Sequence, residues 1–310
     1  SNRKIKFKKR NILFIGDSFT EGVGLKYEDT YVGIIDKILK KKYKDTEILN
    51  AGVQSYSTSI YLSKINHLIN KKKLPLTDIV VMVSGGDFFD DSFKYLSVDD
   101  NYIVDHVDHK NKFVINFINF YKSNTLLYQF ISRVTPPKVI PELIKSFFKK
   151  ENKKSNYNIK EKELMKISNE EISKMKFLNL KDYSYFFSKD EFDKWGKGAI
   201  DNSLKNLDQI IKITEKKNIN LKILYIFEPT IILKKPNQEA MNYILRNLEK
   251  LEGNNSKFYL INDYYDIYND KFTAYKNLFF INDIHLNKKG NELVANEIMN
   301  KINFWNVASK

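Results

Sequence analysis

Short apolar runs alternate with segments whose apolar residues recur at helical spacing, and this alternation restricts the chain more than any other feature. Asn11 to Ile15 reads as a buried strand that stops at Gly16. Tyr31 to Lys42 follows with Ile34, Ile35, Ile38 and Leu39 on one helical face. Glu47 to Leu49 reads as a second strand, and Ser59 to Asn70 as a second helix with Ile60, Leu62, Ile65, Leu68 and Ile69 inward. Three more strands are read at Ile79 to Val83, Leu221 to Phe227 and Lys257 to Ile261, and Glu292 to Ile302 closes the chain as a helix. Strands separated by helical patterns imply parallel βαβ units with helices on both faces, so the expected fold is a three-layer α/β/α domain over 11–310 with a mostly parallel sheet.

The alternation breaks between about Ser92 and Ile200. An aromatic helical pattern (Phe113 to Phe130), the turn cluster Thr135-Pro136-Pro137 and a Lys/Glu/Asn-rich run from Lys149 to Glu170 occupy this stretch. A hundred-odd residues without βαβ rhythm, flanked by segments that have it, read as a largely helical insertion. It leaves from the carboxyl end of the third strand, where open α/β sheets bind ligands, and is expected to act as a lid or substrate platform.

Composition removes several classes of function. The chain of 310 residues has no cysteine, which excludes disulfides, thiolate metal sites and cysteine nucleophiles. No apolar run approaches the roughly 18 residues of a membrane-spanning helix. The net charge of +14 is carried almost wholly by lysine, with arginine only at positions 3, 10, 133 and 246. Nucleic-acid readers lean on arginine forks. The excess of Lys, Asn, Ile, Tyr and Phe is therefore read as compositional bias and no nucleic-acid partner is expected. The sequence opens on Ser1 rather than methionine, and six of its first ten residues are basic, forming a segment 1–10 ahead of the domain. A native start upstream, with a leader removed, is expected, and an extracytoplasmic setting is favoured over a cytoplasmic one.

Gly16-Asp17-Ser18-Phe19-Thr20 comes at the carboxyl end of the first strand. A serine on such a turn exposes its hydroxyl and is followed by backbone N–H groups. Gly22-Val23-Gly24 extends the motif. A serine nucleophile needs a base, and the chain has four histidines. His67 lies in a helical pattern and reads as a surface or packing residue. His106 and His109, in Asp105-His106-Val107-Asp108-His109, have the types to ligate a metal but no further ligand cluster accompanies them. His285 lies in Ile281-Asn282-Asp283-Ile284-His285-Leu286-Asn287, where Asp283 can hold one ring nitrogen while the other faces a serine.

Together these pieces resemble the SGNH (GDSL-type) esterases and acyltransferases. "NILFIGDSFTEGVGLKYEDTY", Asn11 to Tyr31, is similar to that family's first block. Asn50 to Thr58 is similar to the second, Ile79 to Asp91 to the third, and "DIHLNKKG", Asp283 to Gly290, to the last. The four blocks fall in family order and leave out Ser92 to Ile200. The resemblance implies a flavodoxin-like α/β/α fold, Ser18 as nucleophile, His285 as general base, and no metal or organic cofactor. It also implies an oxyanion held by the backbone N–H of Ser18, a backbone N–H of the second block and an asparagine side chain of the third.

Three departures stand out. The second-block donor, usually glycine, falls on Ser55. The third-block asparagine falls on Asp87, or on Gly86 with a one-residue gap. The usual acid position holds Asn282, whereas Asp283 fits branches with Asp-x-His. The catalytic set is therefore Ser18, Asp283 and His285, with Ser18, Ser55 and Asp87 at the oxyanion. The expected activity is removal of an O-acyl group, with acetyl favoured, from a carbohydrate or similar polar substrate. Transfer of that acyl group to a sugar hydroxyl is the near alternative. A weakened carbohydrate-binding or assembly protein is the third reading, motivated by Asp87, because an ionised carboxylate opposes the developing oxyanion. Asp90 and Asp91 follow closely and suggest that Asp87 lies in a wet, polar loop, in a slow native enzyme that Asp87→Asn would speed up.

Overall fold

The computed structural model describes residues 7–99, 102–105, 168–302 and 304. His106, His109, the aromatic pattern at 113–130, the turn cluster at 135–137 and all but the last residues of the run 149–170 lie outside the described residues. The chain divides into two compact units, Ser1–Val104 with Lys160–Lys310 and Asp105–Ile159, and of the second only Asp105 is described.

A five-stranded sheet has the order β2-β1-β3-β6-β7, with β1 (Arg10–Ile15), β2 (Thr46–Asn50), β3 (Asp78–Val83), β6 (Asn220–Ile226) and β7 (Ser256–Ile261), every neighbouring pair parallel. Between β3 and β6 a separate two-stranded sheet joins β4 (Tyr95–Asp99) and β5 (Tyr102–Asp105). The five expected strands thus appear within a residue or two of their expected limits. They are legible because both faces of each central strand are buried, which requires an unbroken apolar run.

Alternation along those runs splits the side chains between two cores. Ile12, Phe14, Val80 and Met82 face one layer, where Val32, Ile35 and Leu39 of α2 (Tyr31–Lys42) meet Val294, Ala295 and Ile298 from the closing helix. Leu13, Ile15, Ile79, Val81 and Val83 face the other layer, beside Tyr61 and Ile65 of α3 (Thr58–Asn66) and Phe88 of α4 (Gly85–Phe93). Leu207 and Ile210 of α5 (Lys197–Lys216) and Ile244 and Leu248 of α6 (Gln238–Glu249) complete that side. This is the expected three-layer α/β/α arrangement, closed by α7 (Lys288–Lys301).

The amino ends of the strands are tied by charge. Arg10 donates from Nε and Nη2 to the two oxygens of buried Asp78, at 2.9 and 2.7 Å, and Lys222 adds an Nζ contact at 3.0 Å. Burial alone would raise the Asp78 carboxyl, but these two cations hold it below the usual carboxylate range.

The described ends of the stretch 92–200 belong to the large unit. Ile172, Met175, Phe177 and Leu178 fill the first core, and Tyr183, Tyr185, Phe186 and Phe192 the second. These residues sit in single turns with no constant period, so nothing in their spacing marks them as core.

Candidate active site

The order reverses at β1, between β2 and β3, and ligands in open α/β sheets bind outside the carboxyl ends at such a point. Ser18 lies there, as the first residue of the single turn α1 (Ser18–Glu21). Gly16 is required by crowding, because a Cβ on it would lie 2.1 Å from Thr20 Oγ1. Asp17 caps the turn: its Oδ1 accepts from Phe19 N at 2.9 Å and its Oδ2 from Ser84 Oγ at 3.0 Å. Gly22 ends it in the left-handed region at φ 79°, its N–H bonded to Ser18 O. Burial pushes the Asp17 carboxyl up, against these hydrogen bonds and the nearby His285, which favour its ionised form.

His285 is presented by a tight loop between α7 and the helix Lys271–Leu278. Phe280 N–H donates to His285 O at 2.9 Å, and Asp283 N–H to Phe280 O at 3.2 Å. Asn282 turns the loop at φ 56°, a left-handed conformation that asparagine tolerates. Asp283 Oδ1 lies 2.6 Å from His285 Nδ1 and also accepts His285 N–H at 3.1 Å. Partial burial opposes ionisation of Asp283, but the hydrogen bonds and charge of His285 prevail and hold its carboxyl below the usual range. The imidazole lies beside the Ser18 turn, its centroid 6.0 Å from the Phe19 ring. Both residues flanking Ser18 are therefore neighbours of His285, whereas His67 is exposed at the end of α3.

The second block is sewn to the same turn. Asn50 Nδ2 donates to Thr20 O at 2.8 Å and Asn50 Oδ1 accepts Gly52 N–H at 2.9 Å. A Cβ on Gly52 would sit 2.4 Å from Glu21 N, so only glycine permits this approach. Glu21 accepts from Gln54 N at 2.6 Å, and Lys64 Nζ donates to Ala51 O at 3.0 Å while lying 4.9 Å from the Tyr56 ring centroid. Ser55 crowns the loop, exposed and at φ 62°. A serine adopts this glycine-type conformation at a cost of about 1 kcal/mol, and its N–H remains as a donor.

The third block differs from expectation. Asp87 is in no wet loop: it is the third residue of α4 and 2% exposed. Its Oδ2 accepts from Ser84 N at 3.0 Å, and Tyr61 Oη lies 3.2 Å from both of its oxygens. The carboxyl is thus turned back onto the start of its own helix in a capping box. Burial, then the charge of Asp17, pushes it well above the usual carboxylate range. Asp91 is equally buried, accepting from Ser59 N at 3.0 Å, from Ser57 Oγ and Ser203 Oγ at 2.5 Å each, and from Thr58 Oγ1. Asp90 pairs with Lys94 at 2.6 Å. The acidic run reads as solvated because sequence shows the charges and not the donors that tertiary packing brings to them.

Sequence reasoning also missed Glu228, just beyond β6. It is fully buried, and its Oε1 accepts Gly86 N–H at 3.2 Å while Oε2 meets no hydrogen-bond donor among the described residues. Burial raises this carboxyl to about 7. A carboxyl raised in the folded state retains its proton while the unfolded chain loses one, so its contribution to stability declines as pH climbs from the unfolded value of 4.5 to about 7. Glu228→Gln cannot titrate. In urea unfolding, the loss of stability between about pH 5 and pH 8 should be smaller in this variant by on the order of 2–3 kcal/mol. An unchanged pH slope would show that Glu228 is ionised in the folded protein.

Neither a protein-family model nor a curated protein matches the chain. Among solved structures it is similar to TesA, at 10% identity over 94% of this chain and 97% of that one, with a TM-score of 0.48. It is similar to a mutant of Axe2, an acetyl-xylooligosaccharide esterase from Geobacillus Stearmophilus, at 12% identity over 98% of each chain, with a TM-score of 0.47. AlinE4, an SGNH-hydrolase family esterase, gives 14% identity over 80% of this chain and 74% of that one, with a TM-score of 0.37.

Proposed function

We propose that this chain is a serine esterase of the SGNH type, acting on an O-acyl group, with acetyl on a carbohydrate or similar polar compound as the favoured substrate. The observation that carries the reading is the 2.6 Å Asp283–His285 pair placed beside the turn that bears Ser18. In this mechanism Ser18 Oγ attacks the acyl carbonyl carbon and its proton passes to His285 Nε2. Asp283 meanwhile holds Nδ1–H and stabilises the imidazolium. Collapse of the tetrahedral adduct breaks the bond to the alcohol oxygen, which takes the proton back from His285 and leaves the acyl group on Ser18. Water, activated in turn by His285, then releases the carboxylic acid. A sugar hydroxyl in place of water would make the same residues an acyltransferase.

The backbone N–H groups of Ser18 and Ser55 are the assigned donors to the oxyanion. The reading as a weakened binding protein loses its motive, because the carboxylate that suggested it is turned onto Ser84 N–H.

Reaction with a fluorophosphonate followed by proteolysis and mass spectrometry tests the reading. An adduct on Ser18, absent in His285→Ala, is expected; a chain that stays unlabelled, or is labelled elsewhere, would refute it. Incubation of acetylated saccharide with and without a sugar acceptor then separates release of acetate from transfer.

A further inference from the structure

The chain has no side chain at position 86 and turns that of Asp87 away, which leaves the oxyanion one donor short of the three that the resemblance implies. Another residue occupies the vacated space. The turn Lys181–Phe186 docks onto Gly85 and Gly86 by three aromatic side chains. Tyr185 Oη donates to Gly85 O at 2.9 Å. The Phe186 ring lies so close to Gly85 that a Cβ there would come within 2.5 Å of Cε2. Tyr183 Oη lies 3.2 Å from the point a Cβ on Gly86 would occupy, with Ser84 Oγ 3.8 Å from the same point. Two consecutive glycines are therefore what allows this turn to approach the carboxyl end of β3.

We propose that Tyr183 is a further catalytic residue, whose O–H donates to the oxyanion from the space that a side chain on residue 86 would otherwise fill. The proposal rests on the esterase reading. Three observations support it. Tyr183 is 4% exposed, yet its hydroxyl makes no hydrogen bond to any described residue, so the donor is uncommitted. The neighbouring turn residues are pinned, Tyr185 to Gly85 and Phe186 O to Asn237 N–H at 2.5 Å, so the phenol is held in place before substrate arrives. Burial, and after it the carboxyls of Glu228, Asp17, Asp182 and Asp90, push the phenol well above its ordinary value, so it stays neutral and protonated. A neutral O–H stabilises a developing negative charge without adding one of its own, which a carboxylate at this place would do. The involvement of Asp17 in that field also places Tyr183 near the Ser18 turn.

The test is Tyr183→Phe, which keeps the ring and removes only the hydroxyl. With an aryl acetate, kcat should fall on the order of 10²–10³-fold while KM changes less than about threefold. The melting temperature should stay close to wild type, since no protein hydrogen bond is lost. Fluorophosphonate should still label Ser18 to completion, only more slowly. Gly86→Ala, whose added Cβ crowds the hydroxyl, should lose activity to an intermediate degree. A Tyr183→Phe enzyme that keeps kcat within about threefold of wild type while Ser18 labels normally would overturn the proposal and leave the esterase reading standing. The same kcat with a lowered melting temperature would assign the phenol to packing, and also overturns it. Failure of Ser18 to label in the wild type would remove the esterase reading and this proposal with it.

Discussion

Ser18→Ala is expected to lower the rate of hydrolysis of a short-chain aryl acetate by about 10⁴-fold or more while the chain folds as before. Removing the nucleophile of a serine triad leaves only what the oxyanion donors and substrate binding contribute. The turn itself should survive, because its hydrogen bonds run through other atoms: Asp17 accepts Phe19 N–H and Ser84 Oγ–H, and Ser18 contributes its carbonyl to Gly22 and Val23. His285→Ala should cost as much, whereas His67→Ala, at an exposed position, should leave the rate unchanged. Circular dichroism and a melting curve on each variant separate chemistry from folding. If folded Ser18→Ala protein kept more than about a tenth of the wild-type rate, the nucleophile would be another residue.

The Ser18 turn and the Asp283-x-His285 loop were legible because each is a local device. A glycine, a capping aspartate and a left-handed terminator follow β1 in sequence order, and the acid sits two residues from the base it orients. Strands β1 and β3 were legible because burial on both faces writes itself as an unbroken apolar run. What escaped was whatever depended on contacts between distant segments. Helix α4 was read as polar loop from Gly85-Gly86-Asp87 and the following acids, although Ser84 and Asp87 stand at capping-box spacing and offered a local signal of a helix start. Helix α5 offered another, with Ile200, Leu207, Ile210, Ile211 and Thr214 buried on one face.

Glu228 and Tyr183 had no such signal. One is a glutamate ahead of Pro229 and the other an aromatic in an aperiodic stretch. Their burial is decided by Gly85 and Gly86, roughly a hundred residues or more away in the chain. The basic composition was equally uninformative about this region, since the carboxyls of Asp17, Asp87, Asp90, Asp91 and Glu228 gather in the interior of a chain with net charge +14. Raised carboxyls such as Asp17, Asp87, Asp90 and Glu228 favour the folded state at mildly acidic pH and lose that contribution as pH rises. The acidic limit is set by the opposite case, Asp78, whose lowered carboxyl stabilises above its unfolded value of 3.8 and ceases to do so as pH falls through its folded one.

Asp283→Asn should lower kcat by about 10⁴-fold, and Asn282→Ala should leave it within a few-fold of wild type. The two side chains are adjacent in sequence but do different work. Asp283 Oδ1 contacts the imidazole Nδ1 at 2.6 Å, which fixes the proton on Nδ1, leaves Nε2 as the base, and supplies the negative charge that stabilises the imidazolium during attack. An asparagine can offer its amide nitrogen to the ring, favouring the wrong tautomer, and in either orientation it carries no charge. Asn282 contributes through its backbone, turning the loop at φ 56°. Alanine there costs about 1 kcal/mol of stability in that conformation and should therefore lower the melting temperature rather than kcat.

The pH dependence supplies a second readout. Because the folded state holds Asp283 below its ordinary 3.8, its carboxylate persists through the range in which His285 titrates. The acidic limb of the wild-type activity profile should then report loss of the neutral imidazole alone. In Asp283→Asn the residual activity should show that limb at lower pH, since removing the carboxylate makes the imidazolium easier to deprotonate. Equal losses of kcat in the two variants, or a larger one in Asn282→Ala, would place the orienting group at 282 and not at 283.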